Sequence, residues 1–316
     1  MSTETGTAGS AGGSTSSSIN LESVRAVAKK DFQDAVRSWL FWGLSIFFFL
    51  LLAAISAILV FADFNDFTTL DFIRRFSQVT KLVVPLIALV LGWKSIAGER
   101  ETGSIKVLLS LPHSRKDVLL GKLFGRSTVL SLSLLIGSLI GIIALAFAVT
   151  EFSFPDYIAF LLVTILYGLA YVSIAVSLSS LTRSTTIAGA AMFGVFVLFY
   201  IVWNAIRTAL SILMAMGHIE GVTYTGTNFA GREQEMIRLP DWALFIDMID
   251  PGTAYQNTIT LFSDVSNGAI GTTYPEGAFV DGIPFYLQDW FSLVILLFWI
   301  VVPMVVALFL FDRGDI

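Results

Sequence analysis

Few side chains in this sequence could do bond-making chemistry. There are two histidines, His113 and His218, and no cysteine. Thiolate nucleophiles, thiolate metal sites, iron–sulfur clusters and disulfides are therefore excluded. The topology argued below puts the histidines on opposite faces of a membrane, which leaves neither a His-based zinc site nor an HExxH protease. Serines are plentiful in the apolar stretches, but no histidine lies among them to activate one as a nucleophile, so an intramembrane hydrolase is disfavoured. No Asp or Glu falls inside the apolar blocks. That disfavours a proton- or sodium-coupled carrier, which usually keeps a carboxylate at membrane depth, although backbone carbonyls could still bind Na⁺. Lys94 and Arg126 are the cations closest to membrane depth, and both lie near enough to span ends to snorkel to water. The sequence thus offers no catalytic, cofactor-binding or metal-binding residues.

Any polar group must be positioned by the apolar elements that dominate the chain. Of 316 residues, 55% are hydrophobic and 14% charged, against roughly 25% charged in an average soluble domain. Mean hydropathy is +0.80. About 20 apolar residues at about 1.5 Å each cross roughly 30 Å of hydrocarbon, and six blocks qualify: Trp39–Phe61, Leu82–Ala97, Leu123–Val149, Tyr157–Leu181, Thr186–Ile206 and Trp290–Phe311. The fold class expected is an all-α polytopic membrane protein with six transmembrane helices.

The domain organisation follows from these blocks. Residues 1–19, rich in Ser, Thr and Gly, bury too little apolar surface to offset ordering and read as a disordered tail. The tail lacks the features of a cleaved signal peptide, so insertion through the first span is expected. Residues 20–38 alternate charges with Leu21, Val24, Val27, Ala28, Phe32 and Val36. This fits an amphipathic helix along the membrane surface, while a plain extension of the first span fits the same pattern. Residues 39–206 hold spans one to five, including a loop at 98–122. Residues 207–288 form an excursion with turns over 221–231 and a short helix from Pro240 to Ile249, stopped by Asp250-Pro251-Gly252. Residues 289–316 hold the sixth span and a tail. Counted by alternate sides, thirteen Lys and Arg fall with both termini and the 98–122 loop, against six on the other side. The positive-inside rule makes the richer side cytoplasmic. Net charge is −5, so no nucleic-acid partner is expected. The preponderance of Arg over Lys and the acidic excursion are compatible with a high-salt host, as they are with ordinary acidic loops.

Small residues recur at helical spacing. Ser133, Gly137 and Gly141 mark a stripe on the third span, and Ser173, Ser177 and Ser180 another on the fourth. Close helix packing is the reading favoured over a substrate-lining role.

The 98–122 loop is the most informative segment. Glu99, Arg100 and Glu101 cluster at its start; Ile105, Leu108 and Leu109 then make an apolar strip. Pro112 breaks that short helix because it lacks an N–H and disfavours helical geometry before it. Ser114-Arg115-Lys116-Asp117 fits the capping box of a new helix. By itself this could be a loop that merely reconnects two spans.

The run Glu99-Arg100-Glu101-Thr102-Gly103-Ser104, then Leu108-Leu109-Ser110-Leu111-Pro112-His113-Ser114-Arg115 and Leu120-Gly121-Lys122, resembles the cytoplasmic loop of type-2 ATP-binding-cassette (ABC) transporter permeases. Six spans, an amphipathic lead helix, the late excursion and the closing Phe311-Asp312-Arg313-Gly314-Asp315-Ile316 are similar too. The resemblance covers about 25 residues in sequence and almost the whole chain in architecture; the long excursion departs from the shortest family members. It implies a coupling helix between spans two and three, seated in a cleft of a separate ABC ATPase subunit. Ile105, Leu108 and Leu109 would supply the buried contact, with Glu99, Arg100, Glu101 and Arg115 as charges at the interface. Gly103 would allow close approach, while Pro112 and Ser114 would set the angle of the next helix. Gly121-Lys122 lacks the upstream glycine and following Ser or Thr of a Walker A loop, so ATP and Mg are expected on the partner and not on this chain. Further implied are a second permease copy, as a homodimer or heterodimer, contact with membrane lipid, residence in the plasma membrane with both termini cytoplasmic, and ATP-driven transport in the export direction. The competing reading is an ATP-independent scaffold or gradient-driven carrier.

Overall fold

Blocks of Leu, Ile, Phe and Val long enough to span a bilayer satisfy their backbone groups internally as helices. In a computed structural model, which describes residues 19–37, 39–61, 67–104, 114–227, 232–263, 276–279 and 282–313, six helices are long and apolar enough to cross a membrane. The order is α1 (Leu21–Arg37), α2 (Trp39–Phe61), α3 (Thr69–Trp93), α4 (Ala97–Glu101), α5 (Arg115–Ala148), α6 (Phe154–Ser180), α7 (Thr185–Ala215), β1 (Val222–Thr227), β2 (Glu233–Arg238), α8 (Asp241–Ile249), α9 (Pro251–Phe262) and α10 (Asp289–Arg313). The crossings are α2, α3, α5, α6, α7 and α10, so the chain is an all-α polytopic membrane protein. Helix α6 is the most enclosed of them and α7 the least. Helices α3, α5, α9 and α10 pack around α6, while α2 and α1 pack on α5.

The stripe on α5 lies against α2. Ser133 Oγ donates to the Phe41 carbonyl at 3.5 Å. A Cβ on Gly137 would meet the Ser45 carbonyl at 2.8 Å, and one on Gly141 would meet Leu52 Cβ at 2.9 Å. On α6, Ser173 Oγ donates to the Ile300 carbonyl of α10 at 2.5 Å.

Three elements differ from the sequence expectation. The second crossing begins at Thr69 and not near Leu82. Thr68 and Asp71 form a reciprocal capping box, and the first turns bury Phe72, Ile73, Phe76 and Thr80 while Arg74 and Arg75 stay outside. That half of the helix is amphipathic, so it does not read as an apolar run. Second, the turns expected over 221–231 include an antiparallel hairpin, in register from Val222 opposite Arg238 to Thr227 opposite Glu233. Alternating β-branched and aromatic residues in Val222-Thr-Tyr-Thr favour extended chain.

Third, Asp250-Pro251-Gly252 ends α8 but also starts α9. Asp250 accepts from the Thr253 amide at 2.8 Å, and proline fits the first helical position because its missing N–H is unneeded there. Pro251–Ile259 is buried throughout, so the excursion turns back into the bundle. Tyr255 Oη lies 2.7 Å from Thr80 Oγ1 and 3.0 Å from Thr164 Oγ1. Lys81 Nζ lies 3.6 Å from Asp250. Above α9, buried Arg238 donates to the Ala278 carbonyl at 2.8 Å and pairs with Asp241. Its guanidinium stands 4.1 Å over the Phe279 ring, joining the hairpin to α8 and the 276–279 turn.

Because overpacking a tight helix contact costs about 1–3 kcal/mol, Gly137→Ala should lower the unfolding temperature in detergent. Gly194→Ala, whose Cβ would meet nothing within 4 Å, should leave it unchanged or raise it slightly. Equal melting of the two variants would contradict the α2–α5 packing.

Candidate functional site

The α3–α4 break is where the chain leaves the bundle for the loop. α3 ends at Trp93, and backbone groups freed by a helix end need partners. Ser179 of α6 supplies them: its Oγ accepts from the Ile96 and Ala97 amides at 3.1 and 3.0 Å and donates to the Trp93 carbonyl at 2.9 Å. One buried hydroxyl therefore fixes where α4 starts.

The three consecutive charges of α4 then reach three different neighbours. Glu99 Oε1 accepts from Lys122 Nζ of α5 at 2.6 Å. The Arg100 guanidinium lies 4.7 Å over the Phe311 ring of α10. Glu101 Oε2 accepts from the Thr185 amide at 2.7 Å, at the N-terminus of α7, where the helix dipole favours a carboxylate. Trp93 Nε1 donates to the Thr185 carbonyl at 2.5 Å, so α3 and α7 are joined beside the same point.

Lys122 is shared. It also donates to Asp31 Oδ1 of α1 at 2.9 Å, and Asp31 meets Arg126 Nε at 3.0 Å. Asp31 is 4% exposed, although it stands among the charges of an amphipathic helix. Its burial follows from Val24, Val27 and Ala35, which share its stripe and are buried too. α1 approaches closely because α5 is bare at two positions: a Cβ on Gly121 would meet Val27 Cβ at 2.5 Å, and one on Gly125 would meet Asp31 Cβ at 2.8 Å. Two carboxylates and two cations balance, as buried charges must. Arg126 is thus an ion-pair partner, while Lys94 stays exposed with its ammonium 5.0 Å from the Trp93 ring.

On the far side of the loop, Ser114 and Asp117 cap α5 reciprocally at 3.1 and 3.0 Å. Asp117 Oδ1 also accepts from the Asn20 amide at 2.8 Å, which ties the start of α1 to the start of α5. Arg115 donates to the Phe311 carbonyl at 3.3 Å. Gly103 adopts a φ of +74° with nothing within 4 Å of its missing Cβ, the left-handed conformation that glycine accepts without strain. Ile105, Leu108, Leu109 and Pro112, expected to form the coupling helix itself, lie outside the described residues. The two roots of that segment are brought together with α1 and the ends of α6, α7 and α10 on one face of the bundle, the proximal face. The sequence reading gave no role to Asp31 or Ser179, and Lys122 entered it only within the Leu120-Gly121-Lys122 run. Asp31 left a signal, a carboxylate on the apolar stripe; Ser179 left none.

A family model described as ABC-2 family transporter protein matches residues 25–316. The chain is similar to the probable ABC transporter permease protein NosY of Stutzerimonas stutzeri, 29% identical over 199 residues, covering 61% of this chain and 72% of that one. It is similar also to the protein of the same description from Pseudomonas aeruginosa, 27% identical over 202 residues, covering 62% and 73%.

Removing one partner of a buried charge network leaves the others uncompensated, at a cost of about 3–5 kcal/mol. Lys122→Met should therefore lower the unfolding temperature sharply, and more than Glu99→Gln does. Adding Asp31→Asn to Lys122→Met should recover part of the loss. Unfolding curves for the four proteins check this; an unaffected Lys122→Met would mean that the charges are solvated.

Proposed function

From the chain's membership of the ABC-2 transporter family, as an ABC transporter permease subunit, we propose that it converts ATP binding and hydrolysis on a separate ATPase subunit into substrate movement across the cell membrane. The observation that carries this is the root of the 98–122 loop: Glu99, Arg100 and Glu101 engage α5, α10 and α7 within three residues. A push on the loop would reach all three helices at once, and α1 through Lys122. Ile105, Leu108 and Leu109 supply the apolar contact that the ATPase grips, and ATP and Mg stay on that partner.

Two permease copies, identical or related, and two ATPases make the working complex. Closure of the ATPases on nucleotide draws the two loops together and rocks the bundles between inward- and outward-open states. The proximal face is cytoplasmic in this reading, which the excess of Lys and Arg on that side supports. Both chain termini lie on that side of the plasma membrane, and the direction is export.

Pull-down from native membranes, with an ABC ATPase as the expected partner, tests the reading. The wild-type chain should retain it, and Leu108→Asp with Leu109→Asp should lose it while keeping its own unfolding temperature. Survival of the association in the double variant would overturn the proposed docking. Because the chain has no cysteine, Leu108→Cys provides a unique label. It should react with an impermeant maleimide only after the cytoplasm is opened, and labelling in intact cells would reverse the topology.

A further inference from the structure

The face opposite the loop, the distal face, carries a cleft of about 380 Å³ between α7 and α8, a volume within the usual ligand range of about 300–1,000 Å³. Its depth can be placed. Thr185 belongs to the proximal face through its contacts with Glu101 and Trp93, and about 20 residues of straight helix cross the hydrocarbon. The crossing that starts at Thr185 therefore ends near Trp203–Arg207, at the level of the distal headgroups. Trp203 and the 52%-exposed Trp242 of α8 fit that layer.

The walls are chemically divided. Ile206, Leu210, Ala243 and Leu244 make an apolar floor, with Arg207 and Asp247 on the rim. Trp203 Nε1 donates to the Ile246 carbonyl at 3.1 Å and fixes α8 beside α7. Arg207 reaches Asp247 Oδ2 at 3.4 Å and Asn204 Oδ1 at 2.6 Å. Two of its five N–H groups are used by described residues, and Asp247 Oδ1 has no hydrogen bond among them. A long, half-exposed pair of this kind is held weakly, so a ligand carrying both an acceptor and a donor can replace it. Guanidinium matches phosphate, and carboxylate matches an ammonium or hydroxyl.

We propose that this cleft is a headgroup site for a phospholipid of the distal leaflet: phosphate on Arg207, a headgroup donor on Asp247, and glycerol with the first acyl carbons on the apolar floor. The depth favours a lipid over a soluble anion, because the floor faces the boundary of the hydrocarbon. The carboxylate makes the site selective for headgroups that can donate. The site is independent of the ATPase, so its test stands apart from that of the coupling role.

Native mass spectrometry of the purified full-length chain with equimolar dioleoyl phosphatidylethanolamine, dioleoyl phosphatidylcholine and dioleoylglycerol tests it. Phosphatidylethanolamine should be retained above phosphatidylcholine, and dioleoylglycerol, which lacks the phosphate, should not be held. Loss of a charge-assisted contact should make Arg207→Gln lower the phosphatidylethanolamine adduct by about tenfold. Asp247→Asn should erase the preference between the two phospholipids. Ser211→Trp, one exposed turn along α7 from Arg207, should fill the cleft and lower both adducts while both charges of the pair remain. The proposal is overturned if dioleoylglycerol binds equally, if Arg207→Gln and Ser211→Trp both retain the wild-type adducts, or if chain-free glycerophosphoethanolamine displaces the lipid at equal concentration.

Discussion

The Lys122 ammonium stands between two carboxylates from different parts of the chain, Asp31 of α1 and Glu99 of α4. Each group is largely removed from water, so none of the three can leave without stranding the others. Such a network is valuable less for net stability than for the geometry it enforces. The close approach that Gly121 and Gly125 allow is what puts Asp31 within reach, and the cap that Asp117 provides holds both helix starts. The proximal face is thus built around one buried, charge-balanced knot, with the root of the loop as one of its strands.

The middle of the bundle poses a related problem, which mostly neutral groups solve. There the chain re-enters the bundle as α9 and must satisfy polar side chains inside it. Tyr255 shares hydroxyl contacts with Thr80 of α3 and Thr164 of α6. Tyr167, stacked on Tyr255 with centroids 4.5 Å apart, donates to the Lys81 carbonyl at 2.9 Å. Helices α3 and α6 therefore serve both regions. α3 carries Thr80 and Lys81 at mid-length and runs proximally into the turn that presents Glu99. α6 carries Thr164 and Tyr167 near its middle and Ser179 proximally. Their mutual packing forms a spine through which the two polar regions share one frame.

What the sequence revealed and what it hid divide along the range of the interactions. Apolar runs are local, so the crossings were legible, as was the Ser114–Asp117 cap with its three-residue spacing. Asp31 was visible as a carboxylate at the spacing of Val24, Val27 and Ala35, but its partner lies 91 residues away, and no local pattern names it. Ser179 lies off the stripe of Ser173, Ser177 and Ser180 and carries no local pattern of its own, because its role depends on where α3 happens to break. Asp250-Pro251-Gly252 carries two messages, a stop for α8 and a start for α9, and the stop hid the start. The amphipathic half of α3 was hidden for a different reason: its charges interrupt the hydropathy that marks a crossing, although its burial is as complete as that of the apolar half.

Helix α7 stands apart from this frame. It is the least buried crossing, and a π-helical turn at Leu198–Val202 interrupts it midway, a feature that loosens the regular ladder and often occurs where helices act. Its polar attachments to other helices sit at its first residue and just past that turn. Thr185 is joined to Glu101 and Trp93 proximally, and Trp203 and Arg207 are joined to α8 distally. A displacement of α4 would therefore enter α7 at its first residue. With few buried contacts along its length to resist, the displacement would be delivered to the cleft beside α8. The same loose hold explains why an amphiphile at that cleft could matter to the whole chain. A ligand bridging Arg207 and Asp247 would stiffen the part of α7 beyond the π-helical turn, which the α3–α6 spine does not reach.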